Sequence, residues 1–163
     1  MAGINGLTLG FRSDANVRVH KYSVLVKSSA NASTQKTQFA AVPASQNASG
    51  VLGVLAEHFV EPNYFVPYGT SPTTVTGTAP TLYNLMNRGM TLQVNGMARC
   101  IAAGAINQGD LLIIADSYGR VQSLATSGIA AGTTIYPIGI AQHGVSSAND
   151  VVQVRLEFTQ AKV

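Results

Sequence analysis

Residues 106–121 read INQGDLLIIADSYGRV. Two aspartates, an arginine and two glycines flank an aliphatic run, so the stretch could be an active site, a metal loop or a hairpin. Spacing decides between them. Leu111–Ala115 is a short continuous apolar segment bounded by turn residues, the pattern of a strand buried on both faces. Asp116-Ser117-Tyr118-Gly119 reads as a turn, with the aspartate capping the backbone and Gly119 accepting a positive φ. Arg120–Leu124 is then the return strand, and Gly109-Asp110 is a second turn leading into the first strand. Asp110 and Asp116 stand at opposite ends of one strand, which rises about 3.3 Å per residue, too far apart for joint acid–base work. A calcium loop needs oxygen ligands at alternate positions, and DSYGR offers only Asp116. The stretch is therefore structural, with Asp110, Asp116 and Gly119 as turn residues.

The same grammar extends outward. VVQVRLEF alternates Val152, Val154, Leu156 and Phe158 against Gln153, Arg155 and Glu157, a half-buried strand. In TLQVNGMARC (residues 91–100), Leu92, Val94, Gly96, Ala98 and Cys100 share one parity. Asn95-Gly96 ordinarily marks a two-residue hairpin. Parity runs through it, so the reading here is one long strand with glycine at a bulge or close approach. Further strands are expected at Lys21–Val26, Lys36–Val42, Val51–Ala56 and Tyr136–Ala141. One short helix is expected over APTLYNLMNRG, with Pro80 at its start and Gly89 at its end. Residues 42–58 and 123–143 resemble each other faintly, each ending in a glycine-containing strand, GVLAEH or GIAQH. These patterns predict an all-β fold: a small β-barrel or sandwich of short, mainly antiparallel strands, with an extended N-terminal arm and at most one short helix.

Composition narrows the function. The chain has 163 residues, one domain's length, and only 10% are charged, against about 25% in an ordinary domain. Its surface must be largely Ser, Thr, Asn, Gln, Gly and Ala, which is cheap to desolvate against a neighbour. One cysteine, Cys100, allows neither an internal disulfide nor a cysteine-based zinc site. It is expected to be buried. No run of about 18 apolar residues exists to span a membrane, and the N-terminal sequence lacks the pattern of a signal peptide. The Asn-Ala-Ser sequons at Asn31 and Asn47 are read as chance. No nucleophile elbow, phosphate loop or metal-ligand spacing occurs. His58 beside Glu57 cannot share a metal on a strand, because neighbours point to opposite faces. No catalytic, cofactor or metal residues are assigned, and an enzyme is the least favoured class. The net charge of +3 comes from ten thinly spread Lys and Arg residues, a poor track for nucleic acid.

Two segments depart from the β pattern. Residues 1–20 carry glycines at 3, 6 and 10, then Arg12 and Arg18. Leu7, Leu9 and Phe11 would gain nothing from exposure on a free tail, so a docking arm is expected; the alternative is a strand added to the arm's own domain. Residues 21–163 form the β domain, with an insertion at about 59–91. Residues 59–83 hold five of the eleven aromatics and four of the six prolines. Rigid extended backbone with amphipathic rings suits an interface, or a loop folded back over the core. Contact candidates are therefore Leu7, Leu9, Phe11, Arg12, Arg18, Tyr64, Phe65 and Tyr68.

The run AAGAINQGDLLIIADSYGRV, a Thr/Ser/Ala-rich link and IGIAQHGVSSANDVVQVRL together resemble the C-terminal half of the capsid cement (head decoration) proteins of tailed bacteriophages. The matching positions are Ile106, Gly109, Asp110, Asp116, Gly119, Arg120, Gly139, Ile140, Ala141, Val152, Val154 and Leu156. KYSVLVK followed by GVLGVLAEH is similar to the N-terminal half, and residues 59–91 have no counterpart. The resemblance implies a structural protein made in the host cytoplasm and mounted on the outer surface of the virion head. It also implies the major capsid protein as partner and self-association, a homotrimer before a dimer, with no nucleic acid, membrane or cofactor. The competing class is a host- or glycan-binding β module of a phage fibre or tail.

Overall fold

The computed structural model describes residues 6–13, 21–28, 39–56, 89–158 and 161–162. They form an all-β fold with two halves. In the first, β1 (Thr8–Ser13), β2 (Val24–Lys27), β3 (Phe39–Ala41), β4 (Val51–Leu55) and β5 (Gly89–Gln93) close into a barrel in the order β1-β3-β2-β4-β5. In the second are β6 (Met97–Ile101), β7 (Leu111–Ile114), β8 (Val121–Ser123), β10 (Pro137–Ala141) and β11 (Val151–Leu156), which make a five-stranded sheet in the order β6-β11-β10-β7-β8. A bridge between Ala102 and Val121 ties the last strand back toward the first. Two short strands, β9 (Thr134–Ile135) and β12 (Ala161–Lys162), pair with each other. Pairing between the strands is antiparallel except between β1 and β3, and the Ala102–Val121 bridge is parallel. Among the described residues the helical content is one 3-10 turn, Leu124–Thr126, against β7. The helix expected at 79–89 lies outside the described residues up to 88, and Gly89 opens β5.

Alternation along β2 explains how the halves join. Leu25 points into the barrel core with Phe11, Ala40, Leu55, Met90 and Leu92. Val24 and Val26 point the other way, into the core of the second sheet with Leu112, Ile114, Val152 and Val154. β4 divides likewise, Leu55 to one core and Val54 to the other. These two strands are the wall between the cores, which is why both read as unbroken apolar runs. Fully burying each such aliphatic side chain contributes roughly 1.5–3 kcal/mol. β7 has the expected two-sided burial: Leu112, Ile113 and Ile114 are all inaccessible to solvent.

The DSYG turn closes the seam. Asp116 Oδ1 accepts the Tyr118 amide at 2.9 Å, Gly119 has φ +74°, and the Gly119 carbonyl accepts the Val24 amide of β2 at 2.8 Å. A methyl group on Gly119 would strike the Val24 carbonyl oxygen and come 2.9 Å from its nitrogen. Opposite, the loop before β4 is pinned to the second sheet by Asn47. Its backbone amide donates to the Ile114 carbonyl at 2.9 Å. Its side chain donates to the Thr134 carbonyl and accepts the Tyr136 amide, both at 2.9 Å. The Asn47 amide is thus occupied within the fold.

Two expectations are corrected. TLQVNGMARC is not one strand: β5 ends at Gln93 in the barrel and β6 begins at Met97 in the second sheet. The corner is held by Gln93, whose side-chain amide donates to the carbonyls of Asn95 at 3.2 Å and Met97 at 2.6 Å. The Gly96 carbonyl accepts the Leu156 amide at 2.9 Å. Parity survives the corner because Leu92 and Ala98 both point inward, into different cores. Nor are residues 8–13 part of a separate arm. They form β1, paired along its length with β5 and at Arg12 and Ser13 with β3, and Phe11 is buried in the barrel. The alternative, a strand added to the domain, holds there, and the strand closes the barrel rather than lying at an edge. Residues 89–91, placed in the insertion, belong to β5.

The faint repeat has a structural counterpart. Gly53 in β4 and Gly139 in β10 each lie in a strand with antiparallel neighbours on both sides. Each lies against a partner backbone: a methyl on Gly53 would sit 2.6 Å from the Gln93 carbonyl oxygen, and one on Gly139 would strike that of Arg155.

Gly119→Val should destabilise the fold by on the order of 3 kcal/mol, combining a disfavoured φ with overpacking at the seam; denaturant unfolding measures it, and a loss under about 1 kcal/mol would contradict the close approach. Cys100 is inaccessible to solvent, and burial pushes its thiol pKa up to about 12. Thiol reagents should modify it only as fast as the protein opens. Cys100→Ser should cost about 1 kcal/mol more than Cys100→Ala, because the buried hydroxyl lacks a partner.

Candidate interaction surface

The aspartates of the second half accept hydrogen bonds from backbone amides. Asp110 Oδ2 accepts the Asn107 amide at 2.9 Å. Asp150 Oδ2 accepts the Ser147 amide at 3.0 Å, an equivalent turn at the entrance to β11 that the sequence reading did not single out. Its cue was present: Asn149-Asp150 before an alternating strand parallels Gly109-Asp110 before β7, and Asn149 carries φ +71° where Gly109 has +87°. The carboxylate of Asp116 is the most heavily used. Besides Tyr118 it accepts the Arg120 amide at 3.4 Å, and from the Arg120 side chain Nε at 2.8 Å and Nη2 at 2.7 Å. Arg120 Nη1 continues to Asn149 Oδ1 at 3.1 Å. Asp110 and Asp116 are separated by the whole of β7, as the spacing predicts. Among the described residues no group of three His, Cys, Asp or Glu side chains could hold a metal ion. An open cleft of about 560 Å³ lies beside His143, Asn107 and Asp150.

The contact candidates divide. Leu7 and Leu9 are 58% and 46% exposed, with Arg12 also exposed, while Phe11 is a core residue. Arg18, Tyr64, Phe65 and Tyr68 lie outside the described residues.

A group not anticipated from the sequence lies where the barrel meets β6. Tyr22 has φ +71°, a conformation costing on the order of 1–3 kcal/mol for a bulky residue. Its amide donates to the Leu55 carbonyl at 2.8 Å, which fixes the backbone. The Arg99 guanidinium donates to its hydroxyl at 3.4 Å, and the Lys21 ammonium is 5.1 Å from its ring centroid. The Arg99 hydrogen bond leads in holding the phenol's pKa below its ordinary value, against the opposing effect of desolvation, with Lys21 adding to the lowering. Nothing in local spacing could reveal this, since positions 22 and 99 meet only through the packing of two sheets.

No protein-family model and no curated protein matches the chain. Its fold is similar to that of the N base of the head fibre gp8.5 of bacteriophage phi29, over 96% of this chain and 98% of that one, with a TM-score of 0.51 and 12% sequence identity.

Arg99→Gln should raise the Tyr22 phenol pKa toward its ordinary value, since the donor favouring the phenolate is weakened. Ring resonances of Tyr22 followed through an alkaline titration report the shift; an unchanged midpoint would show that the contact does not act on the phenol.

Proposed function

We propose that this chain is a structural protein of a phage virion, a decoration domain seated on the outer surface of the head, where it stabilises contacts between major capsid subunits. The observation that carries the reading is the likeness in fold, over nearly the whole of both chains, to the base of a phage head fibre. The turn-and-strand resemblance to cement proteins supports it. So does the commitment of the described aspartates to backbone turns and an ion pair. A sparsely charged surface suits permanent burial against a lattice, since little ionic hydration is lost on docking. Self-association as a homotrimer, ahead of a dimer, belongs to the same proposal. Leu7 and Leu9, side chains exposed at one end of β1, are its nominated capsid contacts.

The fibre origin of the structural neighbour favours one second reading, in which the chain is the base or a binding module of a head fibre. Glycan-array binding would support a receptor-binding module and is not expected of a cement domain.

Heads of the phage encoding the chain, prepared with and without it, test the proposal by electron cryo-microscopy. Regular density on the outer surface is expected only with the protein present; no added density would refute it. Leu7→Ser with Leu9→Ser should leave the melting temperature within about 2 °C, since both side chains are already exposed, and should lower occupancy at least about tenfold. Deleting residues 1–12 cannot serve, because it removes a barrel strand.

A further inference from the structure

We infer that the outward face of β6 and β11, together with the β6 edge where Arg99 reaches the hydroxyl of the half-buried Tyr22, is a docking surface for a carboxylate-bearing segment of a partner protein. This rests on the reading of the chain as a docking protein and identifies the chemistry it would recognise. Three observations converge. Arg120 and Arg155 are each closed onto a carboxylate, at 2.7 and 2.8 Å. Arg99 is exposed and its contact is a phenol at 3.4 Å. A guanidinium offers five N–H donors in a fork that matches a carboxylate, so Arg99 retains most of its capacity. Second, Tyr22 is held in an unfavourable backbone conformation by the Leu55 carbonyl, beside Arg99 and with Lys21 over its ring. A bulky residue kept there against its preference is the kind of outlier that marks a functional position. Its hydroxyl can donate to the same carboxylate that Arg99 engages.

Third, the surrounding face is aliphatic. Met97 pairs with Arg155, Arg155 with Ile140, and Ile140 with Leu111, one row across four strands. Met97, Ile140 and Leu111 are only half-buried, and Val151 on the same face is 40% exposed. An arginine that contacts no carboxylate, Arg99, beside half-covered aliphatic side chains matches a protein interface, in which arginine is enriched and apolar contacts exclude water. Nucleic acid would call for a track of cations instead, and this row holds a single arginine, itself paired with Glu157.

The test titrates the intact protein with a synthetic peptide, Leu-Glu-Leu-Glu with blocked ends, following the Arg99 Nε and Tyr22 ring resonances. Shifts at both are expected, absent with the corresponding glutamine peptide. Arg99→Gln should weaken binding by roughly tenfold and Tyr22→Phe by a smaller factor, because a charge-assisted pair outweighs a neutral hydrogen bond. Both are substitutions of partly or fully exposed side chains, and dispersed amide spectra verify the fold. Undiminished binding by Arg99→Gln, absence of shifts at these two residues, or stronger binding of a thymidine oligonucleotide than of the glutamate peptide would overturn the inference. Because the titration uses no phage heads, its failure leaves the decoration reading standing, and failure of head binding leaves a positive titration intact.

Discussion

The amide of Val24 and the carbonyl of Gly119, 2.8 Å apart, mark the contact on which the two halves depend. β2 is the only strand of the barrel with side chains on both sides of the wall as well as a backbone bond to the DSYG turn among the described residues. That turn can come so close because position 119 lacks a side chain, and Asp116 holds the loop in shape from within. Moving the turn outward would open the seam that Val24, Val26 and Val54 fill. The cost would be borne by the cores jointly, since interiors are close-packed and gaps are not refilled freely. Asn47 closes the same seam from the other side with three hydrogen bonds, so the halves are joined by polar contacts as well as apolar ones.

Charge is distributed according to the same economy. Asp110 and Asp150 cap turns, Asp116 caps a turn and holds Arg120, and Glu157 pairs with Arg155. Negative charge is therefore used locally, in bonds that shape the chain or close on Arg120 and Arg155; of the three arginines in residues 97–158, Arg99 is the one that contacts a phenol rather than a carboxylate.

Much of this architecture was legible from alternation. β11 shows the expected in-and-out burial along Val151–Leu156, β7 is buried on both faces, and Gly119 has the positive φ required by its turn. What escaped is what alternation cannot encode. Leu92 and Ala98 share a parity but enter different cores, so the corner between them left no mark in the hydrophobic pattern; Gln93 holds it, and a single glutamine is not a signal. β1 was obscured because its N-terminal residues are exposed while Phe11 is buried, which breaks the period. Contacts such as Asn47 with Tyr136 and Tyr22 with Arg99 join positions far apart in the chain and become visible only once the sheets are assembled. The surface chemistry suffered most, since it is made largely by such meetings.

β4 and β5 are antiparallel neighbours in the barrel, yet residues 56–88 connect Leu55 to Gly89. The entropy of bringing two chain ends together grows slowly with the length between them, each doubling adding only about 0.6 kcal/mol. The barrel specifies where this connection leaves and where it returns. Related chains could therefore exchange its length and content wholesale while keeping the same scaffold, making it the position at which such a lineage would diversify fastest.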